Sequence, residues 1–433
     1  MKIYSFPRGG LVFDDPFVPD RESSSVAFLP GLSVIPMIQH AGNRAYPVVS
    51  VGDHVREGML VGRSQGMGSA NVHATVPGRI VRSVSWQMAD GNRNDALVIK
   101  LEGAFERLGC REELFPWEGL SPFELQRIIA DYGIVEMEGP GRPVSDLIYS
   151  FRSEGGPSSL VARCVFDDPW LAADYVLCRE RMKAVVEGSI IAARAGRAGR
   201  IVFAVSHKEE SLGREMADAA GASGLAVSVV PVSSRYPQRN KRELEIALRE
   251  FEKKESLELG KLLFLGPAAL AAVHDAVKLK KPILERYVAI GGSALRHPKV
   301  MRVRIGTRIG ELFDECGGFI DKPKRIATGS PLLGRSVVDL DEPVVKTTYA
   351  VFALLEKQSG GTVMRNCIGC GDCRSVCPVG LDPEVLYKAT TAAENAGTFF
   401  SQAQHCHGCG CCEVVCPSRL PLSTSIYRLS KRG

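Results

Sequence analysis

Two stretches near the C-terminus carry the same spacing of cysteines: CIGCGDCRSVCP, from Cys367 to Pro378, and CHGCGCCEVVCP, from Cys406 to Pro417. Each reads C-x2-C-x2-C-x3-C-P, with thiols at Cys367, Cys370, Cys373 and Cys377, then at Cys406, Cys409, Cys412 and Cys416. Two-residue gaps turn the backbone so that successive sulfurs face neighbouring irons of one cube, and this run is the ligand spacing of [4Fe-4S] clusters. The proline after each fourth cysteine fixes φ and offers no donor, which ends the run. Structural zinc is the competing reading, but zinc takes four ligands, usually as two spaced pairs, and a duplicated run of four before proline fits that poorly.

Where two such runs occur together, the fourth thiolate of each serves the other cluster. The expected ligand sets are therefore Cys367, Cys370, Cys373 and Cys416 for one cube, and Cys406, Cys409, Cys412 and Cys377 for the other. Cys411 falls outside the rhythm and reads as a spare thiol. Gly369, Gly371, Gly408 and Gly410 let the chain curl around the cubes, while His405 and His407 flank the second run as candidates for tuning its potential. Arg365, Arg374, Lys388 and Arg419 give this region a basic cast, read as solvated surface ahead of a dock for an acidic ferredoxin.

Composition bounds the remainder. The chain has 433 residues, 45% of them hydrophobic and 24% charged, with a formal net charge of +5. That length suggests about three domains. No basic stripe interleaved with aromatics points to nucleic acid. Nine of the thirteen cysteines lie between Cys367 and Cys416; Cys110, Cys164, Cys178 and Cys316 are scattered and read as buried free thiols in a reducing compartment. The opening MKIYSFPRGG has no apolar run after its basic residues, so no secretory leader is expected. No stretch of eighteen apolar residues occurs, so membrane association is expected to run through partners.

The expected fold is multi-domain, α/β and β, in four units. Residues 1–110 form a lipoyl-like barrel-sandwich domain, signalled by VSVGDHVREGMLVGR (Val49 to Arg63) and VHATVPGRIVRSV (Val72 to Val84), where Gly and Pro-Gly turns separate short β runs. The segment SQGMGSANVHA between its halves has no lysine, so a packing role is expected in place of a carrier role. Residues 120–292 form a Rossmann-like α/β domain, because SLVARCVF, RIVFAVS, AVSVVPV and KLLFLG alternate with helical stretches. Residues 297–357 form a β-grasp domain opening on VMRVRIGTRIGELFDECGG, and residues 360–433 a helical two-cluster domain. Within the last, PEVLYKATTAAENAG reads as a helix that starts at Pro383 and stops at Gly397.

This order of modules resembles the RnfC family, a component of the Rnf complex, which is a membrane-bound ferredoxin:NAD+ oxidoreductase that couples electron transfer to ion pumping. The resemblance rests on RGGLVFDD near the start, VVSVGDHVREG, GSPLLGRSVVDLDEPVVKTT (Gly329 to Thr348) and CPVGLDPEVLY after the first cysteine run. It implies a peripheral subunit on the cytoplasmic side of the cell membrane, with the other Rnf subunits as partners and ferredoxin or NADH as redox partner. It also implies FMN and NADH binding in the α/β domain, which resembles the flavin subunit of respiratory NADH dehydrogenase. A cobalamin-reductase family shares the modules but places the lipoyl-like one after the clusters, so module order favours the Rnf likeness.

The family's flavin loop, approximately G-x-G-G-A-G-F-P-T, aligns with Glu136 to Val144. Gly139, Gly141 and Pro143 keep the pattern, whereas Glu136 and Glu138 replace glycines, and Leu147 stands near a family lysine. A second family signature, N-A-A-E-C-E-P, aligns with Arg163 to Pro169; Asp168 and Pro169 keep it, and Phe166 replaces the acid. After Tyr236-Pro237 a glycine-rich stretch gives way to QRNKRE. Gly139, Gly141, Pro143 and Asp168 are thus the residues the resemblance assigns to FMN or NADH. Two carboxylates in such a loop would oppose a phosphate, partly offset by Arg142. The sequence accordingly leaves three readings: a cluster relay without its own flavin step, a complete FMN-dependent NADH dehydrogenase subunit, and a scaffold stiffened by its clusters.

Overall fold

A computed structural model describes residues 2–87, 93–103, 105, 114–152, 156–356, 363–391 and 396–431. Cys110 and part of the helix expected from Pro383 lie outside them. The four strand candidates of the α/β domain form one parallel sheet. Ala226–Val232, Arg200–Ser206, Ser158–Cys164 and Lys261–Leu265 are hydrogen-bonded in that order, with every pair parallel. Near-continuous Val, Ile, Leu and Phe in these strands suits a sheet covered on both faces. The Met182–Gly196 and Pro267–Lys278 helices pack together on one side, and the Lys241–Lys254 helix buries Leu244, Ala247, Leu248 and Phe251 on the other.

Antiparallel pairing of Leu32–Pro36, Arg93–Leu101, Gly78–Gln87 and His54–Val55, facing a smaller three-stranded sheet, makes the barrel sandwich around Ile35, Val61, Ile80 and Ile99. Its lysine-free Ser64–Ala74 segment is a packing surface, as expected. The Gly68 N–H donates to Asp146, Asn71 Nδ2 to the Asp131 carbonyl, and buried Lys346 donates to the Asn71 and Gly133 carbonyls. The β-grasp elements follow the sequence reading, with the Lys299–Arg304 strand, the Ile309–Glu315 helix and the Gly317-Gly318 stop.

Two segments fall elsewhere than the expected intervals suggested. The strand Glu285–Gly291, inside 120–292, pairs with Lys299–Arg304 and Ala350–Leu354 and so belongs to the mixed β-grasp sheet. The first thirty residues, inside 1–110, run across the other units. Tyr4 bonds to the end of the Ala226–Val232 strand, Gly10 donates to the Val376 carbonyl, Leu11 and Tyr236 exchange backbone bonds, and Ser25–Val26 adds a parallel edge to Lys299–Arg304. Edge pairing of this kind depends on register with a distant strand, which local periodicity does not carry. In the C-terminal unit, Pro383–Thr391 is helical as expected, but Gly397 lies inside a second helix, Ala396–Ala403, and not at a stop.

Candidate iron-sulfur and nucleotide sites

Each cysteine run wraps a loop and a single helical turn, Asp372–Ser375 in the first and Cys411–Val414 in the second, entered through left-handed Gly371 and Gly410. Glycine takes that conformation without a Cβ penalty. Two cavities result. One is lined by Cys367, Cys370, Cys373 and Cys416. The other is lined by Cys377, Cys406, Cys409 and Cys412, with Cys411 beside them. Each therefore gathers three thiols of one run and the fourth of the other, the crossed sets anticipated from the spacing. Their linings are mostly sulfur and apolar side chains, with Glu384 and Ser418 at the first and His407 and Ser423 at the second.

The residues present fit iron-sulfur cubes. Four converging thiols in each cavity are the donor set of such a cluster, and burial pushes Cys373 and Cys406 up to about 11 and Cys377 upward. Cys409 is instead lowered to about 7 by a hydrogen bond from buried Cys411.

The two sites differ in their surroundings. Cys367 and Cys370 are exposed, and Val363, Met364 and Ile368 beside them are 68%, 62% and 71% exposed. The second site is enclosed by other units. Tyr236 Oη donates to the Cys409 carbonyl at 2.7 Å, Arg242 to the His405 carbonyl, and His407 lies between Asn240 and Glu243 at 3.1 and 2.9 Å. Leu332 and Leu333 of GSPLLGR press on Gly410, and Gly9 of RGGLVFDD passes so close to Cys377 that a Cβ would stand 2.6 Å from its carbonyl oxygen.

In the α/β unit, Gly139 and Gly141 adopt positive φ of 60° and 74° and, with Pro143, form a tight loop closed by a bond from the Glu136 N–H to the Arg142 carbonyl. Arg142 is exposed and does not offset the loop's acids, contrary to expectation. Arg163 and Arg239 do. Arg163 reaches Glu138 at 2.9 Å; Arg239 grips Glu138 through Nε and Nη2, contacts Asp174 at 3.1 Å, and donates its backbone N–H to Asp167 at 2.9 Å. Arg239 thereby joins the loop to the segment that carries Asp168, whose carbonyl accepts from Arg21. Behind them lies Arg286, fully buried, 3.7 Å from Asp174. Arg239, Asp174 and Arg286 carried no local motif, since their partners are distant in sequence.

Burial lifts Glu136 to about 7, reinforced by Glu138, and lifts Asp167 to about 7 and Asp168 to about 6. Glu138 is also pushed up by burial, but Arg163 and Arg239 outweigh that and hold it below the usual carboxylate range. The loop's anions are thus answered from within the chain.

Paired cysteine cavities beside a parallel α/β unit, a barrel sandwich and a β-grasp sheet define an iron-sulfur protein of the electron-transfer class. Family models match in the same order: the RnfC barrel sandwich hybrid domain over 20–104, the Nuo51 FMN-binding domain over 129–258, the SLBB domain over 287–336 and a 4Fe-4S dicluster domain over 363–420. The chain is 30% identical to the RnfC-type component of the ion-translocating oxidoreductase complex of Rhodobacter capsulatus, over 85% of its own length and 72% of that protein's. It is 29% identical to the corresponding component of the proton-translocating ferredoxin:NAD(+) oxidoreductase complex of Clostridium ljungdahlii, covering 88% and 83%. To its counterpart in the Na(+)-translocating ferredoxin:NAD(+) oxidoreductase complex of Acetobacterium woodii it is 25% identical, covering 82% and 80%. The chain belongs to the RnfC family.

Proposed function

We propose that the chain is the peripheral iron-sulfur subunit of an Rnf-type ion-translocating ferredoxin:NAD+ oxidoreductase, carrying single electrons between a redox partner and the membrane subunits. The observation that supports this most directly is the crossed lining of the two cavities by Cys367, Cys370, Cys373 and Cys416, and by Cys377, Cys406, Cys409 and Cys412. Two [4Fe-4S] clusters held there would each accept and release one electron. The chain's own residues hold the second site in place, through Tyr236, Arg242, Leu332 and the Gly9 strap. The first site faces outward between Val363, Met364 and Ile368, and this apolar rim is where another component of the complex would dock. No helix among the described residues is long and apolar enough to cross a membrane. Attachment through partner proteins on the cytoplasmic face agrees with that.

A cofactor inventory tests the reading. Anaerobically purified protein should carry about eight irons with matching acid-labile sulfide. After dithionite reduction it should give the low-temperature paramagnetic signals of two interacting clusters. About four irons per chain, or stoichiometric zinc, would refute the ligand sets. A colourless protein without such signals would refute the relay.

A further inference from the structure

Glu136 and Glu138 stand at two glycine positions of the flavin-type loop, and both carboxylates turn inward. Several amides in and beside this loop are engaged by the chain itself. The Glu138 N–H donates to Glu136 Oε1 at 3.2 Å, and the Gly141 N–H to the Glu138 carbonyl. The Gly266 N–H, at the start of the Pro267–Lys278 helix, donates to Glu136 Oε2 at 3.0 Å. A helix N-terminus is an anion position, and here a side-chain carboxyl occupies it.

Two nearby cations are engaged as well, while the guanidinium of Arg286 behind them has, among the described residues, only Asp174 near it, at 3.7 Å. Glu138 receives Arg163 and two guanidinium nitrogens of Arg239, the forked pairing that guanidinium also makes with phosphate. Space is filled too. A Cβ at Gly266 would collide with the Glu138 carboxylate, and one at Gly141 with the Thr347 methyl, while the Pro140 carbonyl is covered by the Ala41 N–H of the barrel sandwich.

We propose that the carboxyl groups of Glu136 and Glu138 fill the phosphate cradle of this α/β unit, so that the chain binds no FMN there. An incoming phosphate would have to displace two buried carboxylates from partners they hold intramolecularly, leaving charge stranded in a dry site. The loop residues therefore do not fit the group for which the domain family is named. This goes beyond the cluster reading, and in a relay it requires electrons to enter from a partner.

The test uses the whole chain with its clusters. Anaerobically purified protein is dialysed against excess FMN, washed, and assayed for acid-released flavin and for iron. The expected result is about eight irons and no flavin. One FMN per chain overturns the inference and leaves the relay standing; missing iron overturns the relay, while the flavin count still judges the inference. The second arm is Glu138→Ala, which frees Arg163 and Arg239. Inorganic phosphate should raise the melting temperature of this variant and leave the wild type unmoved. A folded variant indifferent to phosphate, or a wild type that responds as strongly, overturns the proposal. If the variant does not fold, the dialysis decides.

Discussion

Arg239 makes four kinds of contact from one position: a forked pair with Glu138, an ion pair with Asp174, a bond to the Val165 carbonyl, and a backbone donation to Asp167. Removing one member of such a buried set leaves charge without an answer. Glu138→Ala is expected to cost roughly 3–5 kcal/mol in urea unfolding. The same network sets a pH dependence. Glu136 and Asp167 are raised to about 7 in the folded chain from ordinary values of 4.5 and 3.8. The folded state therefore binds protons that the unfolded state has released, so stability from these groups is full below about pH 4 and lost as pH rises through 7. Lys346, His40 and His73, lowered by burial, act in the opposite sense over the same range, so the check is a difference: from pH 6 to pH 8 the urea midpoint of Glu136→Gln should gain relative to that of the wild type. Among the thiols, Cys411→Ser should keep about eight irons, whereas Cys377→Ser should lose the cluster held with Cys406, Cys409 and Cys412. Iron analysis and paramagnetic resonance of the two variants check this.

The N-terminal strap shows how an element without regular structure positions a site. Gly9 and Gly10 adopt positive φ of 64° and 81°, and the space beyond each Cα is occupied by backbone, of Cys377 and Val376 at Gly9 and of Tyr236 at Gly10. Only glycine lets two backbones approach so closely. Gly9→Ala combines a left-handed conformation with a collision against a cluster-ligand peptide. It should destabilise the cluster unit by about 1–3 kcal/mol, seen as faster loss of iron-sulfur absorbance on warming while far-ultraviolet dichroism of the α/β sheet persists. The Lys241–Lys254 helix works similarly from the other side. Most of its charges are solvated, but Glu243 is buried and bonded to His407.

For the molecule as a whole, enclosure of one cluster site and exposure of the other gives the chain a direction in space. The second site is held by the α/β unit, the strap and the β-grasp loop, so the rim around Ile368 is the open route to a further carrier. A charge placed in that rim should weaken docking without touching the cluster ligands' packing. Ile368→Glu should retain its iron and its reduction by dithionite, yet slow electron transfer to isolated membrane subunits about tenfold or more, as loss of a central apolar contact of about 1–2 kcal/mol or greater does. Unchanged transfer would place the docking face elsewhere.

The crossed grouping of the thiols and the parallel strands were legible in the linear chain, because thiol spacing and apolar periodicity are local properties with fixed geometric consequences. The loss of glycine at Glu136 and Glu138 was legible too, but its meaning was not. Read in sequence, two acids threatened a phosphate; in the fold they are held by Arg163 and Arg239, up to 101 residues away. Likewise the strap, the transfer of Glu285–Gly291 into the β-grasp sheet, and the unequal exposure of the cluster sites arise from pairings between distant segments. Such pairings are chosen by burial and register across the whole chain, and no short window of residues encodes them.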